Sequence, residues 1–157
     1  MILPGAASML DVSLPVLEAT AAIAPLPPRR ITSLASPASG TLPPAGKRFG
    51  KLLWNGPNSW LLLDEDPAPY NALTTDQSDG LFLFAISGPD MHKILRQLIG
   101  IDLHPSVFAE DSVAITIAAH IGIRIWREEQ KFILACFRSF AAALHHALAE
   151  AEQNARG

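Results

Sequence analysis

Thr75-Asp76-Gln77-Ser78-Asp79-Gly80-Leu81-Phe82-Leu83-Phe84-Ala85-Ile86-Ser87-Gly88-Pro89-Asp90-Met91-His92-Lys93-Ile94-Leu95-Arg96-Gln97-Leu98-Ile99-Gly100-Ile101-Asp102-Leu103-His104 is the stretch on which the fold turns. Thr75 to Gly80 has turn composition, because Asp and Ser bond the nearby backbone and Gly tolerates positive φ. Leu81 to Ile86 is apolar without alternation, which predicts a strand covered on both faces and central in its sheet. Ser87 or Gly88 is the expected cap of the following helix. Pro89 suits its first turn, where a missing N–H costs nothing, and Asp90 favours the positive end of the dipole. Met91, Ile94, Leu95, Leu98 and Ile99 share one helical face, opposite His92, Lys93, Arg96 and Gln97. Gly100 is the expected C′ residue.

Downstream, Val113, Ile115 and Ile117 alternate with Ala114, Thr116 and Ala118. Ile121, Ile123 and Ile125 alternate with Gly122, Arg124 and Trp126. Period two predicts two strands with one buried face each, joined at Ala119-His120 as a hairpin or one long bent strand. Arg127 to Gln130 is a charged turn and Lys131 to Phe137 a further strand. Ser139 is placed to cap a helix from Phe140 to about Glu152, with Phe140, Leu144, Ala147, Leu148 and Ala151 on its buried face. Gln153 to Gly157 is expected to fray.

Upstream, regular structure begins at Phe49. Lys51 to Trp54 and Ser59 to Leu63 read as paired strands around the Asn55-Gly56-Pro57-Asn58 turn. Asp64 to Asn71 reads as a loop. Residues 1–48 contain eight prolines, which exclude long helices and central strands through those positions. Val12 to Leu17 and Arg30 to Leu34 are short edge strands, or the segment is an extended arm. The organisation is thus a proline-rich region at 1–48, a domain over 49–152 and a tail at 153–157. The element order predicts an α+β fold: a mostly antiparallel sheet with two helices on one face, close to a ferredoxin-like split β-α-β module.

Composition limits the function classes. The 157 residues suit one domain, and 49% hydrophobic content supplies a core. Charged residues make up 17%, few enough that a partner could cover part of the surface. Net charge of −3 and the absence of a Lys/Arg cluster beyond pairs argue against nucleic-acid binding. No run approaches the roughly 20 apolar residues of a membrane span. The N-terminus lacks a basic region, and Pro4, Asp11 and Pro15 interrupt any signal-like core, so the cytoplasm is the expected address.

Candidate chemistry is sparse. Cys136 is the single cysteine and lies in an apolar run, which favours an inert buried thiol. His145 and His146 are adjacent, so on a helix they point about a hundred degrees apart, unlike the i, i+4 spacing of zinc ligands. His92, His104 and His120 add no metal spacing. Asp76 and Asp79 could act as general acid and base, or hold a cation with Asp64 and Asp66, but turn formation is the stronger reading of Asp, Ser and Gly before a strand. Ser78 and Ser139 lack a nucleophile elbow, and Gly88 stands without the further glycines of a phosphate loop. No catalytic, cofactor-binding or metal residues are assigned. Large aromatic and arginine side chains dominate protein interfaces. The interface candidates are therefore Trp60, Trp126, Arg124 and Arg138, with the turn residues Asp76, Gln77, Ser78 and Asp79; for the aromatics, core packing is the alternative.

Several segments occur in a recognisable order. They are Leu53-Trp54-Asn55-Gly56-Pro57-Asn58-Ser59-Trp60-Leu61-Leu62-Leu63, Thr75 to Gly80, Ser87-Gly88-Pro89, Asp102-Leu103-His104-Pro105 with Phe108, and Arg138-Ser139-Phe140-Ala141. Over about residues 42–152 the chain resembles the gamma subunit of heterotetrameric sarcosine oxidase, whose domain is similar to the folate-binding domain of the glycine-cleavage T-protein. The resemblance implies a non-catalytic subunit of a complex that oxidatively demethylates sarcosine and passes the one-carbon unit to tetrahydrofolate. It implies alpha, beta and delta-type partner subunits that carry FAD, FMN, NAD, tetrahydrofolate and zinc, with self-association open to the isolated chain. A stand-alone folate-binding module of T-protein type, or a divergent paralogue without the complex, is the alternative. Two departures stand out. The family's helical segment before the Asp76 turn shrinks here to Asp64 to Thr74, and Glu110-Asp111 replaces a proline- and glycine-containing turn after Phe108.

Overall fold

The computed structural model describes residues 17–157. In chain order the strands are β1 (Ile23–Pro25), β2 (Ile31–Ala35), β3 (Arg48–Phe49), β4 (Leu52–Trp54), β5 (Ser59–Leu63), β6 (Leu73–Asp76), β7 (Leu81–Ile86), β8 (Val113–Ala118), β9 (Ile121–Glu128) and β10 (Lys131–Phe137). The helices are α1 (Met91–Leu98) and α2 (Ala141–Arg156), with short 3-10 turns at Ala68–Tyr70 and Arg138–Phe140. The α+β class holds. The strands divide into two five-stranded antiparallel sheets, ordered β1-β7-β10-β9-β8 and β3-β4-β5-β2-β6. Relative to the ferredoxin-like pattern, the first sheet carries an additional strand, β10, between β7 and β9.

Continuous apolar runs mark the strands that are covered on both faces. Along β7 and β10 alternate residues feed two different clusters. Phe84, Ile86, Phe132, Leu134 and Cys136 pack with Ile94, Leu95, Leu144, Leu148 and Ala151 of the two helices. Leu81, Leu83, Ala85, Ile133 and Ala135 pack instead with Ile31, Leu53, Leu61 and Leu63 of the second sheet. The molecule is three layers deep: helices, first sheet, second sheet.

Local structure departs from the sequence reading where long-range pairing overrides it. Ile31–Ala35 is a strand, but it lies between β5 and β6 rather than at an edge, and Ile23–Pro25 is an edge strand. Strands β1, β2 and β3 thus tie the stretch from 23 to 49 into the two sheets, whereas Val12 to Val16 lie outside the described residues. Leu73–Asp76, read partly as loop and turn, pairs with β2 through its backbone while all four residues are exposed. Asp90, not Ser87 or Gly88, precedes the first helical residue, and no side chain caps it. Gly88 holds φ of +93° in the turn before it, and its carbonyl accepts the Met91 N–H. Gly100 is not left-handed: Ile99 leaves α1 in an extended conformation and bridges Ala118 of β8.

At the other helix, the 3-10 turn delays the start to Ala141 and leaves Phe140 48% exposed. Ser139 makes no cap bond. The expected frayed tail is helical to Arg156, because Glu152 is buried, accepts the Thr20 hydroxyl and pairs with Arg156, while Ala155 packs on the core. Ile115 and Ile117, expected in the core, are 43% and 59% exposed. They share the face of Val113, which the second sheet buries at Val113, while only its β4–β5 turn approaches Ile115.

Candidate functional site

The turn at 76–80 is built by local and long-range backbone bonds together. Asp76 accepts the Ser78 N–H at 2.9 Å; the nearby Ser78 hydroxyl first, and this backbone bond second, hold the carboxyl below its ordinary pKa, and Arg30 adds to the shift. Ser78 Oγ accepts the Ile31 N–H at 3.0 Å, and Gln77 N–H donates to the Ile31 carbonyl at 2.8 Å. Gly80 and Leu81 N–H both return to the Gln77 carbonyl. Arg138 joins this turn: its Nε–H donates to the Asp79 carbonyl at 2.7 Å and its N–H to the Gly80 carbonyl at 2.9 Å. The guanidinium lies 5.5 Å from the Phe82 ring centroid. Asp76, Gln77, Ser78, Asp79 and Arg138 therefore form one unit, with Asp76 and Asp79 on its exposed side.

The other three candidates lie elsewhere. Trp60 is half-buried on the outer face of the second sheet, opposite Trp54, and its indole N–H donates to the Pro43 carbonyl at 3.0 Å. Trp126 is a core residue, 1% exposed, so it offers no contact surface. It fills the space between the sheets with Val113 and Ile133, its cross-strand neighbours, and its Nε1–H has no acceptor among the described residues.

Arg124 projects from β9 on the same face as Trp126. Its Nε–H donates to Asn55 Oδ1 at 2.7 Å, and its guanidinium sits 5.8 Å from the centroid of the Phe137 ring. Desolvation lowers its pKa, and no carboxylate lies within ion-pair distance among the described residues. Around it stand Ile115 and Ile117 of β8 and Phe137 of β10, the last 50% exposed. The sequence reading missed these three, because period-two alternation distinguishes the faces of a strand and does not say how far a second layer extends over either. An Ile-rich strand with only Thr116 as a polar residue was the available signal.

Other titratable groups do not assemble into a reaction centre. Cys136 is buried and its thiol is pushed up to about 11 by desolvation. His145 Nε2 contacts the Glu18 carbonyl at 2.7 Å, whereas His146 is exposed beside Glu150. Asp64 pairs with Arg29 at 2.9 Å, and Asp66 accepts the Ala68 N–H. No three His, Cys, Asp or Glu side chains approach closely enough to hold a metal among the described residues. An open cleft of about 710 Å³ is lined by His92, Arg96 and the segment 99–105. His104 there bonds Ser106, and the ring of His92 packs edge-on against Phe132. No helix of the described residues is long and apolar enough to cross a membrane.

No protein-family model matches the chain, and no curated protein sequence matches it. Among solved structures it is similar to a chain of the heterotetrameric sarcosine oxidase from Corynebacterium sp. U-96, determined in complex with pyrrole 2-carboxylate, at a TM-score of 0.76 and 22% identity. The likeness covers 96% of this chain and 95% of that one. The two share a fold. At this identity the agreement is one of architecture, and it spans both chains almost from end to end.

Proposed function

We propose that the chain is a non-catalytic, gamma-type subunit of a sarcosine-oxidase-like flavoenzyme complex. The observation that carries this reading is the match over nearly the whole of both chains, which gives this chain the architecture of one chain of such a complex. The ordered segments from Leu53 to Ala141 support it independently, since they were read as gamma-like from the sequence. In this reading larger alpha and beta-type subunits and a small delta-type subunit are the partners. FAD, FMN, NAD, tetrahydrofolate and zinc reside on those chains, where sarcosine is demethylated. The role of this chain is assembly, and its contact surfaces include the unit of Arg138 with the 76–80 turn and the surface around Arg124.

Affinity purification of the tagged chain from its native cells tests the proposal. The expected result is co-elution of a larger subunit with a flavin absorbance spectrum and sarcosine-dependent peroxide formation. Elution of the chain alone, from a lysate that oxidises sarcosine, would overturn it.

A further inference from the structure

The outer edge of β8 is closed at both ends and open in the middle. At one end Val113 N–H donates to the Gly46 carbonyl at 2.8 Å, and Lys47 bridges Ser112. At the other, Ala119 N–H donates to the Leu98 carbonyl at 3.2 Å, and Ile99 bridges Ala118. Backbone direction alternates along a strand, so Ile115 and Ile117 also turn their N–H groups outward. Neither finds a backbone acceptor there among the described residues. The opening between the covered ends, from Val113 to Ile117, is roughly 13 Å long at strand spacing. Protected edges are covered or carry charges. This one instead presents two exposed isoleucines, with Phe137 and the bare Gly122 on the same face further in.

Charge selects the occupant. Arg124 is half-buried on this face with an amide and an aromatic ring for company and no carboxylate among the described residues, so the open surface these residues form carries an uncompensated positive charge. A second copy of the chain fits poorly. Its own β8 is flanked by the same two covering segments, which would meet those of the first copy, and it would bring a second Arg124 towards the first. An isolated extended segment has neither defect. Resting on the function proposed above, we infer that β8 accepts an extended, acidic segment of a partner subunit as an added strand. The backbone of that segment pairs with Ile115 and Ile117, and a glutamate or aspartate reaches over Ile115 towards Arg124.

The test compares variants in the co-purified complex. Ile117→Lys and Arg124→Glu are expected to lower recovery of the partner at least about tenfold, the scale of one charge-assisted contact. Leu73→Lys, at a 72% exposed position on the other sheet, is expected to leave recovery unchanged. Hydrogen exchange of the 113–118 segment slows on assembly if the inference holds. Should Ile117→Lys fail to fold, Arg124→Met carries the same expectation. A complex that forms with full recovery of all variants and an unprotected segment overturns the inference and leaves the proposed function standing. If no complex forms at all, the proposed function fails, and the edge is judged on the isolated chain. There a short capped peptide of three to four extended residues, valine and threonine around a glutamate, should protect the Ile115 and Ile117 amides more than its lysine counterpart. Equal or absent protection overturns the inference, as does an isolated-chain dimer that Ile117→Lys dissociates.

Discussion

Cys136 has no exposed surface and points into the helix-covered face of β10, where desolvation raises its thiol from 9.0 to about 11. The folded state keeps the proton while an unfolded chain gives it up. This group's stabilisation is therefore complete below pH 9.0 and is lost as pH rises towards about 11. Melting temperature should fall across that window, and Cys136→Ala should fall less steeply, because the substitution removes the difference in proton binding. A parallel decline in both proteins would assign the effect to other groups. A thiol reagent at pH 8 should label the chain only after denaturation, since thiolate is the reacting form. Arg29 shows the opposite balance. Burial opposes its charge, but Glu128 and Asp64, at 3.1 and 2.9 Å, outweigh this and raise its pKa, so one guanidinium links β9 to the end of β5.

Two hairpins of the first sheet turn on residues that tolerate the geometry poorly. Glu129 and Gln130 hold φ of 54° and 62°, and Ala119 and His120 hold 49° and 68°. These are the positive values of a type I′ turn, which favours Asn-Gly. Replacing Glu129→Asn and Gln130→Gly together should stabilise the fold by about 1 kcal/mol, or roughly 2–4 °C in melting temperature. A lower melting temperature would mean that Glu129 or Gln130 makes a contact worth more than the strain. The sequence betrayed the turn position, because charged residues interrupt two apolar runs there, but not its type. Other elements divide the same way. Ser59–Leu63, Leu81–Ile86 and Lys131–Phe137 were legible to the residue, since a strand buried on both faces is apolar except at its ends. Leu73–Asp76 was not, since its exposed side chains carry no pattern and its pairing to β2 is entirely backbone. The Arg138 unit was partly legible: turn chemistry at Asp76 to Gly80 is local, whereas the approach of Arg138 across 59 residues is not. The open patch was invisible for the reason that governs Ile115 and Ile117, namely where the second sheet stops.

At the scale of the molecule, the first sheet is the shared wall of two interiors, and this bears on how the chain unfolds. The cluster between the sheets draws Ile31, Leu53, Leu61 and Leu63 from one and Leu81, Leu83, Ala85, Val113, Trp126, Ile133 and Ala135 from the other. Separating the sheets exposes all of these at once. At about 1.5–3 kcal/mol for each large side chain the cost is on the order of 15 kcal/mol. That is as much as the whole net stability of a typical domain, so a state with the sheets parted and each still folded should not accumulate. Tryptophan fluorescence can check this, because the three indoles report different places: Trp126 the space between the sheets, Trp54 and Trp60 the second sheet alone. A variant with Trp54→Phe and Trp60→Phe, and a second with Trp126→Phe, should each give one urea transition. Within each variant the midpoint should coincide with that of far-ultraviolet circular dichroism. If the Trp126 signal changes at lower urea than the dichroism, the second sheet undocks before the first melts, and the two layers are separate cooperative units.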